Sequence, residues 1–389
     1  MDFQNVLSQR VQTIKPSGIR KFFDLANTVE GVISLGVGEP DFTTPWHICE
    51  AGIYSIEAGA THYTENQGML ELRKEICRYY KRKFAVTYEP KQVLVTVGGS
   101  EAIDICLRAL INPGDEVIIP TPSYVAYDPG VTLNDGKTVY LPLKKEDDFK
   151  ITYEALKACI SDKTKAMIIN FPSNPTGGTM SYEDYAKIVP LIQESGMIVL
   201  SDEIYGELQY EGKHCSLASF PEIKDQVLVI NGFSKAFAMT GWRLGYILGH
   251  EELIQMINKI HQYVIMCAPT PAQYAALEAL RHGDKQVEEM RLAYLSRRNF
   301  IVKTFNDMGL KTEMPKGAFY IFPDISSTGL SSEDFCEQLL ADQKVACVPG
   351  TAFGEAGEGF IRVSYAYSID EIKTATERIK VFLAHLQEH

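Results

Sequence analysis

The chain has 389 residues, of which 45% are hydrophobic and 23% charged, with a formal net charge of −12. This is the composition of a globular protein of two or three domains, or of one large α/β domain with a smaller partner. The acidic balance argues against a nucleic-acid surface and against an anionic membrane. No apolar run approaches the ~20 residues that span a bilayer, and "MDFQNVLSQRVQ" lacks the apolar stretch of a signal peptide, so the cytoplasm is the expected location.

Taken in chain order, "GVISLGVGEPDF" (31–42) is too rich in loop residues to begin a large sheet. Seven short apolar runs follow: "QVLVTVG" (92–98), "DEVIIP" (115–120), "KTVYLPL" (137–143), "KAMIIN" (165–170), "GMIVL" (196–200), "QVLVIN" (226–231) and "RLGYILG" (243–249). They are β-branched and do not alternate cleanly, as expected for strands buried on both faces. Helical patterns lie between several of them. One is "SEAIDICLRAL"; another opens at Ser181, where Asp184 completes a capping box. Strand alternating with helix implies a three-layer α/β domain, with a mostly parallel seven-stranded sheet between helices. After about residue 285 the rhythm changes. A long charged helix (285–309) leads to "GAFYIFPDI", a helix near 332–343, "VACVPG", "FIRVSYA" and a closing amphipathic helix. The expected division is a large domain over 43–284 and a smaller α/β domain built from 285–389 with the N-terminal arm, 1–42.

The eight cysteines, at 49, 77, 106, 159, 215, 267, 336 and 347, form no C-x-x-C, and the histidines show no ligand spacing. Reduced, buried thiols and no metal site are expected.

Open parallel sheets bind ligands beyond the carboxyl ends of their strands. There this chain places "GGSEA", "TPSY" ending at Tyr124, "FPSNPTG" with Asn174, "SDEIY" with Asp202 and Tyr205, and "GFSK" with Ser234 and Lys235. Glycines opening a helix leave backbone N–H groups free for a phosphate. Ser234 and Arg243 are candidates for the same anion. A buried aspartate needs a cationic partner, and a partly desolvated lysine amine is a nucleophile toward aldehydes. Phosphate cradle, lysine and buried aspartate together describe a site for pyridoxal 5′-phosphate. Tyr124 is then placed to stack on the ring, and Asn174 and Tyr205 to donate to its phenolic oxygen. Arg362, inside an apolar strand, is a candidate clamp for an α-carboxylate.

From "VGEPDF" through "HYTENQG", "GGSEA", "PSNPTGG", "SDEIY" and "SKAFAMTGWRLG" to "GAFYIFP" and "IRVSYA", nearly the whole chain resembles the class I/II aminotransferases of pyridoxal-phosphate fold type I. The nearest subgroup is the one that includes bacterial aspartate, aromatic and N-acetyl-diaminopimelate aminotransferases. The resemblance implies that Lys235 is the Schiff-base and proton-shuttling lysine and that Asp202 is the partner of the pyridine nitrogen. It makes Tyr205 and Asn174 the phenolic-oxygen donors, and Gly99, Ser100, Ser234 and Arg243 the phosphate cup. Tyr63 resembles a tyrosine that reaches the neighbouring subunit's phosphate, which implies a homodimer with active sites at the interface. Arg362, Asn174 and the Gly38 amide match the α-carboxylate site. The implied reaction moves an amino group from an L-amino acid to a 2-oxo acid such as 2-oxoglutarate, by a ping-pong route. Ser100 is a departure, since some members that prefer acidic substrates carry lysine there. With only Arg20 as a candidate second clamp, and Ile19, Phe22, Tyr63 and Tyr124 around the pocket, aromatic or other large donors are expected. The rivals are a C–S β-lyase on the same cofactor and a regulatory or binding protein on this fold. A dinucleotide enzyme is disfavoured because "GVGEP" is an incomplete glycine motif.

Overall fold

The computed structural model describes residues 5–14, 16, 18–19 and 30–387. Its strands are β1 (Ile33–Ser34), β2 (Val93–Thr96), β3 (Glu116–Thr121), β4 (Lys137–Pro142), β5 (Thr164–Asn170), β6 (Ile198–Asp202), β7 (Val227–Gly232), β8 (Gly245–Leu248), β9 (Tyr320–Ile321), β10 (Val345–Ala346), β11 (Val348–Pro349) and β12 (Ile361–Ser364). The seven runs read from the sequence are β2 to β8. They form one sheet in the order β2-β8-β7-β6-β5-β3-β4. All of its pairings are parallel except those of β8, which runs antiparallel to both β2 and β7.

The missing alternation in these runs has a direct cause. Val93 and Val95 of β2, Met167 and Ile169 of β5, and Val227 and Val229 of β7 enter one apolar cluster. Leu94, Ile168, Leu228 and Ile230 enter another on the opposite face. Successive side chains of a strand point to opposite faces, and here both faces are covered. The first cluster is closed by α1 (Leu70–Phe84), α2 (Tyr182–Ser195) and α3 (Thr270–His282). The second is closed by α4 (Gly98–Leu110), α5 (Tyr127–Leu133) and α6 (Glu251–Val264). Ser181 caps α2 with the predicted box, its hydroxyl accepting from the Asp184 amide at 3.2 Å and the Asp184 carboxylate accepting from Ser181 N–H at 3.0 Å.

The chain after residue 285 builds a smaller assembly. β11, β12 and β9 pair antiparallel, and β1 pairs parallel with β10, Ile33 opposite Val345. The "GVISLG" segment therefore joins the C-terminal part and not the large sheet. Leu35 shares an apolar cluster with Met290, Ile301, Phe335, Val363 and Phe382. No helix among the described residues is long and apolar enough to cross a membrane. Five of the eight thiols are only partly buried (Cys49, Cys77, Cys159, Cys215 and Cys267), so the expected burial holds for Cys106, Cys336 and Cys347.

Candidate active site

The sheet register sets the centre of the site. Asn170 of β5 lies opposite Asp202 of β6, which lies opposite Ile230 of β7. These three share the carboxyl edge of the sheet, strand beside strand. Asp202 is buried. Its Oδ2 accepts from the Tyr127 hydroxyl at 2.7 Å and its Oδ1 from the Ile204 amide at 3.2 Å. Burial pushes the Asp202 carboxyl up to about 6, against those two hydrogen bonds; the charge of Glu203 adds to the rise and that of Lys235 opposes it.

Lys235 follows the end of β7. Its Nζ donates to the Gly38 carbonyl at 2.6 Å. Burial pulls the amine down to about 8, with Glu39 resisting and the Arg362 and Arg243 charges assisting. A carboxyl displaced upward and an amine displaced downward thus face one space, the pattern expected of groups kept for chemistry. A Cβ at Gly38 would overlap the Tyr320 hydroxyl, so any larger residue there has to displace that tyrosine.

The turn into α4 forms a second corner. Gly98 has φ 76°, and a Cβ on it would lie 2.8 Å from Arg243 Nη2. Arg243 itself is left-handed at φ 52°, a conformation that costs roughly 1 kcal/mol and collects at functional sites. Its Nη1 donates to the Thr240 carbonyl at 2.9 Å. Gly245 presses on the same turn from β8; a Cβ there would be 2.8 Å from Gly98 C and 2.9 Å from Gly99 N. Only a backbone without side chains fits this crossing.

Arg362 forms the third corner. It is 2% exposed. Nη1 donates to Asn174 Oδ1 at 2.9 Å and Nη2 donates to the Gly36 carbonyl. The guanidinium lies between the Tyr320 and Phe353 rings, 4.6 and 4.8 Å from their centroids. Its Nε is buried with no hydrogen-bond partner, and among the described residues it has no carboxylate partner. A buried cation left so is costly; an anion supplied from outside would complete it.

A single cavity of about 910 Å³ joins the three corners. Of the residues singled out in the sequence, Gly38, Gly99, Ser100, Tyr124, Asn174, Asp202, Tyr205, Ser234, Lys235, Arg243 and Arg362 line it, as does Ile19. Tyr63 does not; it is 80% exposed on the outer surface. Arg20 and Phe22 lie outside the described residues. Sequence reasoning passed over Tyr127 and Tyr320, both lining the cavity and both almost wholly buried. The Tyr320 and Tyr205 hydroxyls are 2.8 Å apart. Among the described residues no cluster of His, Cys, Asp or Glu is arranged to hold a metal ion.

Residues 30–379 match the family model described as aminotransferase class I and II. The chain belongs to this family. It is 52% identical to the Bacillus subtilis protein YugH, itself only provisionally named an aminotransferase, over 97% of this chain and 98% of that one. It is 44% identical to the aspartate aminotransferase of Pyrococcus abyssi, again over 97% and 98%. The solved structure of an aromatic aminotransferase from Pyrococcus horikoshii superposes with a TM-score of 0.90 at 43% identity, covering 95% of this chain and 99% of that one. This protein is therefore an aminotransferase on the fold of the pyridoxal-phosphate enzymes.

Aminotransferases of this class use pyridoxal 5′-phosphate, and the residues of this member fit that group. A side-chain-free turn at the start of a 13-residue helix, beside Arg243, suits a phosphate. A buried carboxylate suits a protonated ring nitrogen, and a desolvated lysine suits an aldehyde.

Proposed function

We propose that this aminotransferase holds pyridoxal 5′-phosphate in the cavity between Lys235, Asp202 and Arg243. In our reading it moves the amino group of an L-amino acid with an aromatic or other large side chain to a 2-oxo acid such as 2-oxoglutarate, in two alternating half-reactions. The observation that carries the proposal is that Lys235, Asp202 and Arg362, all desolvated, open into one cavity.

When bound, pyridoxal phosphate supplies an aldehyde that condenses with amines and a ring that withdraws electrons from the carbon bearing the nitrogen. The protein does the rest. The first-turn amides of α4 at Gly99 and Ser100, with Ser234 and Arg243, hold the phosphate. Asp202, as carboxylate, holds the ring nitrogen protonated. Tyr205 and Asn174 donate to the phenolic oxygen, and Tyr124 covers the ring. Arg362, Asn174 and the Gly38 amide orient the α-carboxylate. Lys235, a base near neutrality, would take the proton from the substrate Cα and return one to the cofactor carbon on the other side of the amino nitrogen.

The substrate reading rests on what lines the remaining space. The cations of the described cavity wall are Lys235, Arg243 and Arg362, each already assigned. Ile19, Tyr124 and Tyr320 present apolar or aromatic surface. Relatives named for aspartate and for aromatic amino acids stand at similar identity, so the pocket decides the preference. A spectrum of the purified protein, followed by addition of single amino acids, tests the whole proposal. Aromatic amino acids are expected to bleach a visible band fastest, and 2-oxoglutarate to restore it. A band bleached only by aspartate and glutamate would overturn the preference. Steady release of pyruvate and ammonia would replace amino transfer by β-elimination.

The homodimer belongs to the same proposal. Trp46, Tyr54, Tyr63 and Tyr263 are 70%, 67%, 80% and 87% exposed. Hydrogen bonds from Thr270 to the His62 carbonyl and from Asn66 to the Met266 carbonyl bring the Tyr63 segment onto this surface. Such a patch is expected to be covered by a second copy, with Tyr63 reaching the partner's phosphate site. The expected result for Tyr54→Asp with Tyr263→Asp is a monomer by light scattering with weaker cofactor retention. An unchanged dimer would move the interface elsewhere. We also propose that 43–284 acts as the large unit and that 1–42 with 285–389 forms the small one, as the cluster joining Leu35 to the C-terminal part supports.

A further inference from the structure

Tyr127 is the residue of this site whose chemistry its sequence context hides. It opens the short helix α5 and is 1% exposed, in the apolar cluster that also holds Ile105, Val131 and Ile168. Its ring meets Tyr124 edge-on at 5.5 Å. A phenylalanine would fill that space equally well. The hydroxyl is the part that needs a reason, because a buried O–H without a partner is costly. It has one: the donor bond to Asp202 Oδ2 at 2.7 Å, across 75 residues of chain.

The Asp202 carboxylate has few other supports. Ile204 N–H holds Oδ1. The neighbouring Glu203 carries like charge, while Lys235 beyond β7 carries the opposite one. Tyr205 on the same segment and Tyr124 before α5 face Asp202 as neutral phenols. Asn170 of β5 bonds the Asp202 backbone carbonyl, not its carboxylate. Among the described residues the one side-chain donor to the carboxylate is Tyr127.

We infer that Tyr127 is a positioning residue for amino transfer: its hydroxyl keeps Asp202 ionised and fixes the direction in which its free lone pairs face the cavity. This rests on the reading that Asp202 meets the ring nitrogen of the cofactor. A hydrogen bond to a carboxylate favours its charged form, so removing the donor must make Asp202 take up its proton at a higher pH.

The test is the affinity of the cofactor-free protein for pyridoxamine 5′-phosphate between pH 5 and 8, followed by fluorescence. This probe is an amine and does not condense with Lys235. In the native protein, affinity should fall as pH drops through about 6, where Asp202 loses its charge. In Tyr127→Phe the fall should begin about one pH unit higher, leaving affinity about twofold weaker at pH 7 and approaching about tenfold weaker toward pH 5. The probe's own ionisations are common to both proteins and cancel in the comparison. Tyr127→His, which keeps a donor, should move back toward the native profile. In an Asp202→Asn background, adding Tyr127→Phe should change affinity less than about twofold, because the coupled partner is gone. A Tyr127→Phe profile parallel to the native one, lowered by a constant factor, would reduce Tyr127 to packing and overturn the inference. Failure of the native protein to bind the probe at all would overturn the cofactor reading along with it.

Discussion

Lys235→Ala is expected to abolish amino transfer, with a loss on the order of 10⁴-fold or more in kcat, and to remove the visible absorbance of the purified enzyme. Two roles disappear together. In the proposed mechanism the amine is the group that holds the cofactor aldehyde and the base that moves the Cα proton, a contribution of roughly 10²–10⁴-fold by itself. Stopped-flow absorbance with an excess of amino acid, alongside steady-state assays, reads both. Native turnover in this variant would sink the site assignment. A stability measurement separates this result from misfolding. Burial has pulled the amine down to about 8, whereas an unfolded lysine stays near ~10.4. Between those values the unfolded chain binds more protons, so the contribution of Lys235 to stability rises with pH across that window. Below pH 8 its desolvation cost is fully present. Cofactor-free Lys235→Met should therefore melt above the native protein at pH 7, with the gap narrowing as the pH approaches 10. A variant that is inactive and also melts lower would point to structural damage.

Arg362→Lys is expected to lower kcat/KM by roughly 10²–10³-fold for the amino donor and the 2-oxo acid alike, the scale of a desolvated, hydrogen-bonded charge contact. A lysine keeps the charge and loses the planar fork. Its three N–H donors on one nitrogen cannot serve Asn174 Oδ1, the Gly36 carbonyl and both oxygens of an incoming carboxylate at once. Amino acid amides give the sharper reading. The native enzyme should reject an amide strongly, because the Arg362 guanidinium is then left without its anion, and the variant should lose most of that discrimination. If acid and amide are distinguished equally well by both proteins, the α-carboxylate sits elsewhere in the cavity.

Much of the architecture was readable from local chemistry. The seven β-branched runs became the seven strands because a run buried on both faces has no polar side to interrupt it. Asn174, Asp202, Tyr205 and Lys235 were findable because a polar group just past an apolar run marks the sheet edge where ligands bind. The reversed direction of β8 was not legible, since an apolar run carries no sign of its orientation; only the pairing of Thr96 with Gly245 and of Gly232 with Gly245 settles it. Tyr127 and Tyr320 escaped for a related reason. In "TPSYVAYDPG" and "GAFYIFP" each tyrosine reads as another core aromatic, and the ring does pack as one. What the sequence hides is a single oxygen in each, whose partners lie 75 residues away for Tyr127 and 115 for Tyr320. Tyr63 shows the opposite limit. Its motif already implied a place at a neighbouring subunit, and it lies outside the cavity of its own chain, but a single chain does not show what it meets.

The hydrogen bond from Arg362 to the Gly36 carbonyl spans 326 residues, and β1 is held by β10 from the far end of the chain. This sets a timetable for the protein as it leaves the ribosome. Every residue assigned to the cofactor within one chain lies between Gly99 and Arg243, so that half of the site can assemble while the C-terminal part is still being made. The clamp for the amino acid cannot. At roughly 5–20 residues per second, on the order of ten seconds separate the emergence of Arg243 from that of Arg362. Through that interval the β1 segment waits without its sheet partner, its apolar residues available to chaperones. On the proposed assignment, the coenzyme's residues are thus complete in the nascent chain before the substrate's clamp has been made.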